Sequence, residues 1–136
     1  MPPLSFQVGV KLFLENSEHK FLLLQRSPEK YPEVGEQWDI PGGRIDPGTP
    51  LLENLKREVR EETALELGGA PMLIAAQDIL KPDKHVVRLT YRGEANGTPK
   101  LSEEHSKFAW FSPEEMKQME HLDKYVREIL DGGIIK

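Results

Sequence analysis

GGRIDPGTPLLENLKREVREETAL, running from Gly42 to Leu65, joins a Gly/Pro-rich turn to the pattern of an amphipathic helix. Thr49-Pro50 is expected to open that helix. Threonine is an accepted N-cap, and proline at the first helical position lacks only an N–H that would be unbonded anyway. Leu51, Leu55 and Val59 make an apolar stripe, and the helix is expected to reach about Ala64, since alanine extends a helix, with Gly68-Gly69 ending it beyond. Glu58, Glu61 and Glu62 stand at i, i+3 and i+4. They share an arc of roughly 100° that borders the stripe. Like charges at this spacing repel, and carboxylates at a core edge lose solvation. A hard divalent cation turns that repulsion into ligation, because Mg²⁺ is held by a few carboxylates together with substrate phosphates. The plain alternative is a solvated surface face, with Arg57 and Arg60 pairing the acids.

The same stretch resembles the signature of the Nudix hydrolases, G-x5-E-x7-R-E-U-x-E-E-x-G-U with U aliphatic. Gly43, Arg57, Glu58, Val59, Glu61, Glu62 and Leu65 match at the required spacing. Thr49 stands where the family has its first glutamate, and Ala64 where it has its second glycine. Pro41-Gly42-Gly43 in front of the helix strengthens the match. A looser likeness runs from Val8 to Glu115 and includes Trp38-Asp39-Ile40 and Trp110-Phe111.

Around this stretch the chain reads as one domain over residues 1–136, long enough for a proper core and too short for two. Phe6–Leu14 alternates as a strand, with Val8, Val10, Leu12 and Leu14 on one side, and Phe21–Leu24 is a short buried strand. A long loop spans 27–36, and Trp38–Ile40 is a brief extended piece ended by Pro41-Gly42-Gly43. Pro71–Leu80 and His85–Glu94 read as strands joined at Pro82-Asp83, and Lys107–Phe111 as a last strand. Ser112-Pro113-Glu114-Glu115 is a capping box that opens a short helix, and Leu122–Leu130 a final one that stops at Gly132-Gly133. Strands, one central helix, more strands and terminal helices make an α+β or αβα layered order. The Nudix resemblance implies a mixed sheet sandwiched between helices.

Composition excludes several classes. A net charge of −5 offers no broad basic surface for duplex nucleic acid. The absence of cysteine removes disulfides and thiolate metal sites. No apolar run approaches a membrane span, and Met1-Pro2-Pro3 has no leader-like stretch behind it. The expectation is a cytoplasmic protein.

The Nudix resemblance implies hydrolysis of a pyrophosphate linkage in a nucleotide, assisted by Mg²⁺ or Mn²⁺. Glu58, Glu61 and Glu62 are then the metal ligands, with a backbone carbonyl at Gly42 as a further one. Arg57 orients the glutamates, and Glu58 can also accept a proton from water. Glu103 and Glu104, in the loop before the last strand, are candidates for a late general base, with Glu104 preferred. With Thr49 in place of the first glutamate, either the cluster lacks that carboxylate or Glu53, one turn on, partly substitutes for it. Arg26, Lys30, Tyr31 and Trp38 offer charge and stacking to a small nucleotide substrate, although Trp38 also suits packing under the turn. Gly42 and Gly43 let backbone approach a metal or phosphate. His105 could do acid–base work near neutral pH, although a lone loop histidine is more often solvated. A nucleoside triphosphate, cleaved to the monophosphate and pyrophosphate, is the leading substrate. ADP-ribose or another NDP-sugar, and a non-catalytic nucleotide-binding module, are the alternatives. Family members are often monomers or homodimers.

Overall fold

The computed structural model describes residues 4–33 and 35–136. Met1-Pro2-Pro3 and Val34, in the 27–36 loop, lie outside the described residues. In chain order the elements are β1 Ser5–Glu15, β2 Phe21–Arg26, β3 Trp38–Asp39, β4 Gly42–Arg44, α1 Leu51–Thr63, β5 Gly68–Lys81, β6 Lys84–Glu94, β7 His105–Phe111, α2 Pro113–Lys117 and α3 Lys124–Asp131. They build a mixed sheet of order β3-β2-β1-β6-β5, with β4 on β1 and β7 on β2. β1 and β6 run parallel, from Ser5 beside Lys84 to Glu15 beside Glu94. The other strand pairs are antiparallel.

Period-two alternation divides the apolar side chains between two cores. Val10, Leu12, Leu14, Leu22 and Leu24 face α1, where they meet Leu55, Val59 and Leu65. Phe13, Phe21 and Leu23 face the opposite way, against Met116, Val126, Ile129 and Leu130 of α2 and α3. The sheet is therefore sandwiched, as the αβα reading expects. Full burial of Leu55 and Val59 ties α1 to the sheet, each worth about 1.5–3 kcal/mol.

The ends of α1 differ from the sequence reading. Thr49 does not cap it: Pro50 takes the N-cap place and no side chain bonds there. Asn54, fully buried, does the joining instead. Its amide donates to the carbonyls of Thr49 and Pro50 at 2.8 and 3.0 Å, and its Oδ1 accepts the N–H of Asp46 at 3.0 Å. Leu51 stays exposed, so the buried stripe is Leu55 and Val59 flanked by Asn54, Glu62 and Thr63. At the other end Ala64 does not extend the helix. It adopts a left-handed conformation (φ 61°) with its N–H on the Arg60 carbonyl. Gly68-Gly69 opens β5 rather than stopping α1. The Ser112/Glu115 capping box is present as read. α3 begins at Lys124, because Asp123 accepts the N–H groups of Tyr125 and Val126.

Candidate active site

The turn after β3 is not a free turn. Gly42–Arg44 pairs with β1 as β4, Lys11 opposite Gly42 and Val10 opposite Gly43. Gly42 sits at φ +142°, and a Cβ there would lie 2.0 Å from the Val10 carbonyl oxygen. Only glycine fits. A Cβ on Gly43 would lie 2.8 Å from Glu58 Oε2. These two glycines let β4 lie close enough for α1 to lay its carboxylates on the strand.

Glu62 is 4 % exposed, and its Oε1 accepts the Gly42 N–H at 2.7 Å. Glu58 is half-buried beside it, and Glu61 is exposed at the cleft rim. Glu58, Glu61 and Glu62 line one cleft with Ser102, Glu103 and Glu104. Burial pushes the Glu62 carboxyl up to about 7; Glu58 and Glu104 add to the rise, while Lys11 and the Gly42 N–H oppose it. Burial also raises Glu58, against the pull of Arg57. Burial is the first cause of both rises, and the neighbouring carboxylates add to them.

Arg57 has the orienting geometry. Its Nη2 donates to Glu58 Oε1 at 3.2 Å and to Asn54 Oδ1 at 3.1 Å, and its Nη1 pairs with Asp46. Asp46 went unread in the sequence, where Glu53 and Glu61 were the obvious helical partners. Glu53 is exposed and is not among the residues lining the glutamate cleft. Glu103 and Glu104 separate: Glu103 pairs with Lys30 at 3.0 Å on the surface, whereas Glu104 comes within reach of Glu62 and His105.

His105 is the residue that sequence reasoning undervalued. Its side chain is 7 % exposed, and its Nε2 faces Glu62 Oε2 at 3.7 Å. Burial pushes its imidazole down to about 4, with Arg26 and Lys11 adding to the fall. The signal was its place at the start of β7, where Arg26 of β2 pairs with it.

His105 lines a small cleft with Lys11, Arg26 and Asp39, and these last three also line a larger one with Gly42, Gly43 and Arg44. Arg26, expected to meet substrate, is there with its guanidinium 4.4 Å from the Tyr31 ring centre. Neither Arg26 nor Arg44 is ion-paired with a carboxylate among the described residues. Trp38 is not brought to these clefts. Its ring packs edge-on against Phe111, 5.6 Å between centres, in the α3-side core. This is the packing alternative, enforced by its bridge to Leu122.

The family model for the NUDIX domain matches residues 5–131. This chain belongs to the Nudix family. The mouse bis(5'-nucleosyl)-tetraphosphatase (asymmetrical) is 30% identical over 125 residues, covering 88% of this chain and 82% of its own. The nucleoside triphosphatase NudI of Escherichia coli K12 is 32% identical over 91 residues, covering 59% of this chain and 64% of its own. Among solved structures, the MutT protein of Methanosarcina mazei Go1 superposes with a TM-score of 0.85 at 29% identity, over 97% of this chain and 95% of that one. The mixed curled sheet with a few helices is the Nudix α+β fold. The chain is a Nudix hydrolase, a pyrophosphohydrolase by family. Nudix hydrolases generally use divalent metals, and Glu62, Glu104 and His105 make a group of donors that could hold one. Among the described residues no helix is long and apolar enough to cross a membrane.

Proposed function

We propose that this Nudix protein is a Mg²⁺- or Mn²⁺-dependent hydrolase of nucleoside polyphosphates, with a nucleoside triphosphate as substrate and the monophosphate and pyrophosphate as products. The observation that carries this reading is the juxtaposition of two clefts of opposite character. One is lined by Glu58, Glu61, Glu62, Glu103 and Glu104 with Lys30, the other by Lys11, Arg26, Arg44 and Arg88 with Asp39. Surplus carboxylate suits a cation, and Arg26 and Arg44, which have no carboxylate partner among the described residues, suit a chain of phosphates.

The residues present fit a divalent ion. Oxygen donors predominate, Glu62 is buried with its charge uncompensated, and Gly43 leaves room for the Glu58 carboxylate. Glu58, Glu61 and Glu62 would hold it, with the Gly42 carbonyl. Such an ion, when bound, neutralises phosphate charge and lowers the pKa of water. The chain's own groups do the rest. Arg57 holds Glu58 in one rotamer, and the Gly42 N–H fixes Glu62. Arg26 and Arg44 orient the phosphates. Glu104 or Glu58 takes the proton as the water oxygen bonds to phosphorus and the bridging P–O bond breaks, releasing pyrophosphate if the α-phosphorus is attacked and the monophosphate if the β-phosphorus is. Purified protein with Mg²⁺ is expected to cleave members of a panel of nucleoside triphosphates, with Glu62→Gln as the blank. Turnover that survives in Glu62→Gln would remove the assignment. Hydrolysis in ¹⁸O-water shows which phosphorus is attacked.

A second reading has its own support in the mouse tetraphosphatase, which aligns along 88% of the chain. A dinucleoside polyphosphate would place a longer phosphate chain along the same arginines. Diadenosine tetraphosphate therefore belongs in the panel, and a higher kcat/KM for it than for any triphosphate would favour this reading. ADP-ribose and sugar nucleotides complete the panel.

A further inference from the structure

We propose that His105 is a metal ligand, joining Glu62 and Glu104 in a site that takes a divalent transition ion such as Mn²⁺, Co²⁺ or Zn²⁺; the assignment rests on the hydrolase reading above and refines it. Donor atoms of Glu62, Glu104 and His105 all lie within 4.8 Å of one another. A metal bond of about 2.1 Å sets neighbouring donors roughly 3–4 Å apart. The three groups therefore need to draw in only slightly around an ion.

The imidazole is otherwise unexplained. Its side chain is 7 % exposed, Nδ1 is buried with no hydrogen-bond partner, and the 3.7 Å from Nε2 to Glu62 Oε2 is too long for a hydrogen bond. Leaving a buried polar group unmet costs about 1–3 kcal/mol, so native exceptions call for a reason. Glu62 mirrors it. Oε1 is committed to the Gly42 N–H, which leaves Oε2 turned toward the histidine. The backbone at this point is held from both sides. The Glu104 carbonyl accepts the Ser27 N–H at 2.9 Å, and His105 pairs with Arg26 across β2 and β7. Glu104 and His105 are thus delivered on a fixed strand start to a carboxylate on a fixed helix.

An imidazole changes which ion the site prefers. Carboxylate and water suit Mg²⁺, whereas nitrogen ligands favour the later first-row ions. The other histidines whose rings have partners are engaged elsewhere: His19 with Glu15 and the Lys136 carbonyl oxygen, His85 with Asp78.

The test is electron spin-echo envelope modulation on the Mn²⁺-loaded protein. Wild type is expected to show ¹⁴N coupling from a bound imidazole, replaced by the ¹⁵N pattern when histidine alone is ¹⁵N-labelled. His105→Phe, which keeps a ring in the pocket, is expected to lose the coupling. It should weaken Mn²⁺ binding at least about tenfold, or roughly 1.4 kcal/mol, and Mg²⁺ binding less than about twofold. The labelled wild type decides the matter even where the variant fails to fold. Bound Mn²⁺ without nitrogen coupling, or coupling that persists in folded His105→Phe, overturns the histidine ligand; nucleotide turnover in the same wild-type sample shows that the hydrolase reading survives. No bound Mn²⁺ together with no turnover overturns both.

Discussion

Lys11, Asp39, Arg88 and Asp123 cluster on the α3 side of the sheet, while Glu58, Glu61, Glu62 and Glu104 gather at α1. In the first group cations answer carboxylates. Lys11 meets Asp39 at 3.1 Å, and Arg88 bridges Asp39 at 3.1 Å and Asp123 at 3.2 Å. Burial alone would push Asp39 up, but Lys11 and Arg88 outweigh it and hold the carboxyl below the usual range. In the second group Arg57 reaches Glu58 and not Glu62, and burial raises Glu62 to about 7 against the pull of Lys11 and the Gly42 N–H. Cations thus reach both carboxylates of the first group, although burial and Asp39 still raise Asp123 against Arg88. No ion pair reaches Glu62 from an arginine or lysine among the described residues, and a buried carboxylate of that kind is a candidate for a ligand.

The sharpest way to break this contrast is to remove charge from each side. Glu62→Gln should cut kcat by about 10³-fold or more, while raising or preserving the melting temperature of the metal-free protein. A variant that turns over normally would place Glu62 with the structural charges. Arg88→Met does the opposite on the other side. It takes from Asp123 its ion pair and from Asp39 one of two, Lys11 remaining, and should cost about 3 kcal/mol in urea unfolding; a loss under about 1 kcal/mol would show the first cluster to be dispensable.

pH sharpens the same point. The Glu62 carboxyl is raised in the folded state, from 4.5 to about 7. Its stabilising contribution is therefore complete below about pH 4.5 and lost as pH climbs through 7. His105, lowered from 6.5 to about 4, has the opposite sign: its contribution is present above 6.5 and lost as pH falls through 4. Comparing wild type with Glu62→Gln cancels the histidine. Between pH 4.5 and 8 the metal-free wild type should lose on the order of 3 kcal/mol relative to the variant, and saturating Mg²⁺ should restore it. A pH-independent difference would mean that Glu62 is already neutralised by the protein.

Arg57→Ala removes a positioning contact and not a ligand, so kcat should fall about 10–100-fold with KM little changed. A large rise in KM would mean that Arg57 touches substrate. Ala64→Gly is the smallest change. It relieves a left-handed alanine and should add about 1 kcal/mol without altering turnover; a loss of stability would show that the Ala64 methyl packs usefully.

Much of this contrast was legible before any coordinates. Glu58, Glu61 and Glu62 are legible because helical spacing puts them on one face, and Glu104 only through the family resemblance of the loop before the last strand. Alternation in Phe6–Leu14 and the terminal helix signals gave an α+β order, and the sandwiched mixed sheet came from the Nudix resemblance. What stayed hidden depends on pairing between distant segments. Gly42–Arg44 reads as a turn because its strand character comes wholly from lying against β1. Asn54 reads as an ordinary helix residue, and only the fold brings the Asp46 N–H to it. Lys11 interrupts an apolar strand, which is a signal of sorts, but its partner Asp39 sits on another strand. His105 looks solvated until β2 and β7 close over it.

The parallel pairing of β1 with β6 also carries a kinetic consequence. Ser5 cannot meet Lys84 until the chain between them has folded back across the sheet. β1 is the strand on which β4 hangs, and β4 carries the Gly42 N–H that fixes Glu62. Contacts this far apart in sequence form slowly, because loop closure must precede any gain. α1 can therefore appear early in refolding with its carboxylates in line, yet recovery of catalysis should lag helix formation and keep pace with closure of the β1–β6 ladder.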